Sequence, residues 1–147
     1  MFAVKGVYHD VDPDWSSEKA RGLNTLVYVT EGKVIYYIDN KRLELEKGEV
    51  FYIPYHLDRS WTSHPHETHK KYTVVFSWEF RSSEIPLFFA KRDAVFRFKP
   101  RNAAYFEQRL AFLFMQWLGQ TTFYEQLSCN VLSELLILIS QEKTERS

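Results

Sequence analysis

The spacing of hydrophobic residues changes once along the chain. As far as about residue 100, apolar and polar positions alternate or gather in short bursts between turn-forming residues. From about residue 102 onward, apolar residues recur at intervals of three and four. The first regime predicts strands at 23–30, 34–38, 42–46, 50–53, 60–62, 71–80 and 95–98. Arg42-Leu43-Glu44-Leu45-Glu46 alternates strictly, which sets both leucines inside and both glutamates in water. Val50 to Ile53 is apolar on both faces and is expected to be a central strand, ended by Pro54. Glu31-Gly32-Lys33 and Lys47-Gly48-Glu49 make corners, and Asp39-Asn40-Lys41 a hairpin turn. Strands separated by about 8–12 residues with turn signals predict a sandwich or barrel rather than a parallel sheet.

The second regime predicts two helices. Asn102 caps the first, which runs to about residue 118 with Phe106, Leu110, Leu113 and Trp117 on one stripe and Gly119 as its stop. Thr121 or Thr122 opens the second, with Glu125 placed for a capping box, and it runs to about residue 142. Leu127, Val131, Leu135 and Leu138 form one apolar stripe on it. Leu132, Leu136 and Ile139 form another, rotated by about 100°. Ile137 lies beyond both. One stripe docks the helix; the remainder needs a further partner, which is either the first helix or a second copy. The first helix is itself apolar on several sides, at Phe112, Met115 and Leu118. A two-fold dimer is therefore expected, with the second helices antiparallel and Leu127, Asn130, Glu134 and Ile137 near the seam.

Composition narrows the function classes. The 147 residues are 45% hydrophobic and 17% aromatic, as expected of a globular chain with an aromatic interior. Lys and Arg total 19, and Asp and Glu total 19, so the basic excess needed to grip nucleic-acid phosphates is missing. Cys129 stands alone, which excludes a disulfide framework within this chain and any multi-thiolate metal site. The longest aliphatic run, 135–139, falls far short of the roughly 20 residues that cross a bilayer. The first residues carry no secretory signal. A cytoplasmic setting without a membrane partner is expected.

Two blocks carry a family likeness. Leu26-Val-Tyr-Val-Thr-Glu-Gly32, followed by Lys41-Arg-Leu-Glu-Leu-Glu-Lys-Gly48-Glu-Val-Phe-Tyr-Ile-Pro54, resembles the N-terminal regulatory domain of AraC-type transcription factors. The strand at 72–76 falls where that family places its next strand, and 125–138 looks like its dimerisation helix. The resemblance covers about residues 20–142. It implies a mainly β fold with C-terminal helices: an N-terminal arm over 1–22, a cupin-like jelly-roll barrel over 23–100 and a helical dimerisation segment over 101–147. It further implies a bacterial, non-enzymatic sensor that binds a small effector, such as a sugar, and forms a homodimer. DNA would be met only through a C-terminal helix-turn-helix domain, expected to be absent from this chain.

The resemblance also frames the candidate site. Metal-dependent cupins hold two His and a Glu before the first glycine and another His after the second. Here those positions are Glu18, Ala20, Thr25 and Arg59. Guanidinium has no free lone pair to offer a metal, so no metal and no cofactor is expected in the barrel. The run His64-Pro-His66-Glu-Thr-His69 reads either as a metal chelator or as an exposed polar loop, the adjacent Lys70 and Lys71 favouring the loop. Effector contacts are expected at Trp15, Ser17 and Arg21 of the arm and at Arg59, Trp61 and Thr73 of the barrel. Plain barrel core is the alternative for Trp15 and Trp61, and an exposed rim charge for Arg59. A metal-independent cupin enzyme, such as a sugar isomerase or epimerase, is the alternative function.

Overall fold

The computed structural model describes residues 2–11, 17–20, 22–63, 67–78 and 95–146. Its longest strand belongs to two sheets. The strand β3 (Asn24–Ile38) pairs over its first half with β5 (Val50–Ile53) and β7 (His69–Trp78), and over its second half with β4 (Lys41–Glu46) and β6 (Arg59–Ser63). The corner expected at residues 31–33 is thus a bend within one strand. The bend has a local cause: Gly32 has φ +72°, and a Cβ there would collide with the Thr68 carbonyl oxygen. Asp39 and Asn40 both take positive φ in the hairpin between β3 and β4, at 47° and 71°.

The first sheet runs β1-β7-β3-β5-β8, with β1 (Phe2–Val11) and β8 (Phe96–Phe98) at its edges among the described residues. The second joins β4 and β6 to β3, and β2 (Ser17–Ala20) to β6. All the pairings are antiparallel. Residues 2–11, which the sequence pattern leaves in an arm, are a full edge strand. A bulge between Val4 and Gly6 shifts the register, so Val4 and Val7 share a face across an odd interval, and simple period-two spacing hides the strand.

Alternation divides the interior into two cores. Leu26, Tyr28, Val50, Tyr52, Val74 and Phe76 face the helices. Their neighbours Val27, Val29, Phe51 and Ile53 face the space between the two sheets, together with Val34, Tyr36, Leu45 and Trp61. Val50 to Ile53 is accordingly buried at every position. Each large apolar side chain so buried contributes about 1.5–3 kcal/mol.

Two helices cover the outer face of the first sheet. In α1 (Ala103–Gly119) the Asn102 side chain accepts from the Tyr105 amide, and Phe106, Leu110 and Leu113 are buried. The left-handed cap is Gln120, at φ 48°, one residue beyond the glycine expected there. In α2 (Tyr124–Arg146), Val131, Leu132, Leu135, Leu136 and Ile139 are all buried within the chain. The second predicted stripe and the middle of the first therefore find cover within the chain, while Leu127 is only partly buried. The helix opens one residue later than Thr122 and two later than Thr121 would set it: the Leu127 amide donates to the Phe123 carbonyl, and the Tyr124 amide to that of Thr121.

Candidate functional site in the barrel interior

The strand β7 carries different chemistry on its two faces. Tyr72, Val74 and Phe76 point to the helices; His69, Lys71 and Thr73 point the other way, between the sheets. Neither His69 nor Lys71 is reached by solvent. The histidine therefore lies in a strand, not in the exposed loop that the run 64–69 suggests; His64 and His66 fall outside the described residues.

Lys71 is the centre of the cluster. Register places it directly across from Asp10 on β1, and its Nζ lies 3.5 Å from Asp10 Oδ2. The same Nζ is 3.3 Å from His69 Nε2 and 3.0 Å from the centroid of the Trp61 ring. Trp61 in turn stands across from Tyr36, whose ring centroid is 5.6 Å from the ammonium. One cation is thus enclosed by a carboxylate, an imidazole and an indole face delivered by three strands. Burial drives the Lys71 ammonium down to about 7, partly opposed by Asp10. Burial also pushes the Tyr36 phenol upward. The Thr73 hydroxyl, shielded from solvent, makes no hydrogen bond of normal geometry among the described residues.

Arg59 closes the neighbouring part of the interior. It is 8% exposed, not a rim charge, and its guanidinium is committed to the chain. Nη1 donates to Thr25 Oγ1 (2.5 Å) and to the Leu23 carbonyl (2.7 Å); Nη2 donates to the carbonyls of Pro54 (2.7 Å) and Leu57 (2.9 Å). These two residues stand at positions where metal-dependent cupins hold ligands. A hydroxyl bonded to a guanidinium does not fit a divalent metal, because neither offers the anionic or imidazole donor that a metal takes.

Ser17 is register partner to Trp61. Trp15 and Arg21 lie outside the described residues. On α2, Leu127 is half-buried, Asn130 is exposed and Ile137 is 46% exposed. Glu134 accepts hydrogen bonds from Tyr105 Oη and Arg109 Nε on α1, which holds its carboxyl below the usual range. Sequence reasoning missed Asp10, Tyr36 and Lys71, and weighed His69 only as part of a chelating run or an exposed loop. The alternation of His69-x-Lys71-x-Thr73 against Tyr72-x-Val74-x-Phe76 shows which residues share a face, but not that the lysine face points inward.

No protein-family model and no curated protein matches the chain. Among solved structures, the apo form of a ToxT variant from Vibrio cholerae superimposes on 99% of this chain and 56% of its own, with a TM-score of 0.57 at 14% identity. The fold is a cupin-like barrel followed by two C-terminal helices. YhaK from Escherichia coli aligns over 67% of this chain and 43% of its own, with a TM-score of 0.49 at 7% identity. A cupin protein from Bacteroides fragilis aligns over 52% and 70%, with a TM-score of 0.41 at 15% identity. The chain thus spans just over half the length of ToxT, and the likeness is one of fold. No helix among the described residues is long and apolar enough to cross a membrane.

Proposed function

We propose that this chain is the effector-sensing and dimerisation domain of an AraC-type transcription regulator, with a small metabolite bound between the two sheets. The observation that carries the reading is the Asp10–Lys71 pair set against Trp61 inside the barrel. Desolvating an ammonium costs several kcal/mol, and apolar residues of similar volume would fill the same space without that cost. Convergent polar groups in an otherwise apolar interior are the mark of a binding site. Support for the regulatory setting comes from the sequence resemblance and from ToxT, an AraC-family regulator, whose fold is matched through both helices. Contact with promoter DNA falls to a helix-turn-helix segment outside this sequence. The homodimer forms through the outer stripe of α2, at Leu127, Asn130, Glu134 and Ile137. Trp15, Ser17, Arg21 and Thr73 are the further proposed effector contacts.

Binding acts by linkage: an effector that prefers one arrangement of β1 or of the dimer shifts the population toward it. A thermal-shift screen of sugars, organic acids and amines, followed by calorimetry on the hits, tests the reading. The expected result is a stoichiometric binder whose affinity falls in a Trp61→Phe variant. Hits that bind equally well to that variant, or a screen without any binder, would remove the effector reading.

A further inference from the structure

The surroundings of Lys71 select among ligand chemistries. A buried ammonium requires an anion, and here the anion is Asp10. The two partners are held very differently. The Lys71 side chain is 1% exposed and lies on a strand paired on both sides; that of Asp10 is 18% exposed and lies on the edge strand β1, one residue before its end at Val11. Withdrawing Asp10 disturbs only the last two register pairs of β1, Asp10–Lys71 and Val11–Lys70. Asp10 is therefore the replaceable member, and it stands on the solvent side of the cluster.

Three classes of ligand can be compared. A neutral polyol would find the indole face already covered by Nζ at 3.0 Å. A cation would meet Lys71 itself. An anion restores the pairing that it breaks and leaves the buried charge unchanged, and its body would lie toward Val27, Val29, Phe51 and Ile53, the buried apolar residues between the sheets.

Resting on the effector-domain reading, we propose that the effector is an organic acid whose carboxylate takes the place of the Asp10 side chain at Lys71 and His69. Asp10 is then an internal surrogate for the ligand's head group, and acid binding releases the end of β1. The assignment concerns the head group; the body is an apolar one.

Substituting the surrogate tests this without knowledge of the natural effector. Asp10→Asn leaves Lys71 without its anion, and acetate is small enough to refill the place. At about pH 6, acetate is expected to raise the melting temperature of Asp10→Asn and to bind it at least tenfold more tightly than wild type, with acetamide inert. The double variant Asp10→Asn/Lys71→Met is expected to lose the response to acetate. Equal responses to acetate and acetamide, no response of Asp10→Asn to acetate, or a response that survives in the double variant would each overturn the acid assignment. Should a neutral metabolite from the broader screen bind in a Trp61-dependent way while acetate does nothing, the effector reading stands and only the acid assignment falls. Circular dichroism establishes that each variant is folded before it is scored.

Discussion

Arg59 Nη1 and Thr25 Oγ1 are 2.5 Å apart, joining β6 to the start of β3 at two of the four positions where counting from the glycines places metal ligands in metal-dependent cupins. The same guanidinium also serves the carbonyls of Leu23, Pro54 and Leu57. Removing it leaves several buried acceptors without donors, each costing about 1–3 kcal/mol. Arg59→Met is expected to lose about 3 kcal/mol or more of stability in urea denaturation. Arg59→Lys should recover less than half, because one ammonium cannot span a planar fork of acceptors. Full recovery by lysine would show that only the charge matters.

Lys71 should leave a mark on the pH dependence of folding. Its folded value of about 7 lies below the ordinary 10.5. Between those values the unfolded chain holds a proton that the folded chain has released. Stability therefore rises with pH across the window and is lowest below its start, with a slope of up to about 1.4 kcal/mol per pH unit. Denaturation from about pH 7.5 to about 9.5 should show the rise in wild type and a flat profile in Lys71→Met. Parallel profiles would contradict it.

The two halves of the chain were unequally legible in the sequence. Repeating contacts are local, so the stripe of Phe106, Leu110 and Leu113 and the hairpin at Asp39-Asn40 follow from spacing and turn chemistry alone. Trp61 in the interior and Thr73 on the inner face of β7 were also within reach of period-two reasoning. Lys71 was not, because alternation tells which residues share a face but not which face is solvated. In β7 both faces are covered, one by helices and one by the second sheet, so the polar side turned inward. Asp10 was hidden by the bulge near Gly6, which breaks the alternation upstream of it.

Trp61 has both a packing role and a charge-facing role. It is 9% exposed and carries the ammonium on its face. Trp61→Ala is expected to cost about 3–5 kcal/mol of stability by cavity formation. Trp61→Phe keeps most of the volume and should weaken effector binding by about 1–3 kcal/mol by reducing the aromatic contact. Calorimetry on the screened binder, alongside urea denaturation, separates the two roles; a phenylalanine variant with unchanged affinity would return Trp61 to the core alone.

Glu134 ties the helices together through Tyr105 and Arg109. Its carboxyl is held below the ordinary 4.5, chiefly by the tyrosine hydroxyl. A depressed carboxylate stabilises the fold above its unfolded value, and that stability is lost as pH falls through the folded one. Glu134→Ala should cost about 1 kcal/mol at neutral pH, partly screened by salt, with the difference from wild type vanishing in acid. A cost that persists undiminished at about pH 2 would assign the effect to packing.

Assembly can be checked directly. The core stripes of α2 are spent inside the chain, so association would draw on Leu127 and Ile137 at the outer stripe. Sedimentation velocity at micromolar concentration should report a dimer, and Leu127→Glu with Ile137→Glu a monomer. A wild-type monomer throughout that range would defeat the dimer.

The two-faced strand has an evolutionary consequence. Tyr72, Val74 and Phe76 of β7 face the helices, and His69, Lys71 and Thr73 face the interior, yet all of them share one backbone. Substitutions at 69, 71 and 73 could rewrite ligand preference without touching the surface on which the helices rest. A lineage with this arrangement can exchange one chemical signal for another by a few changes at alternate positions, while the part that conveys the message stays as it was.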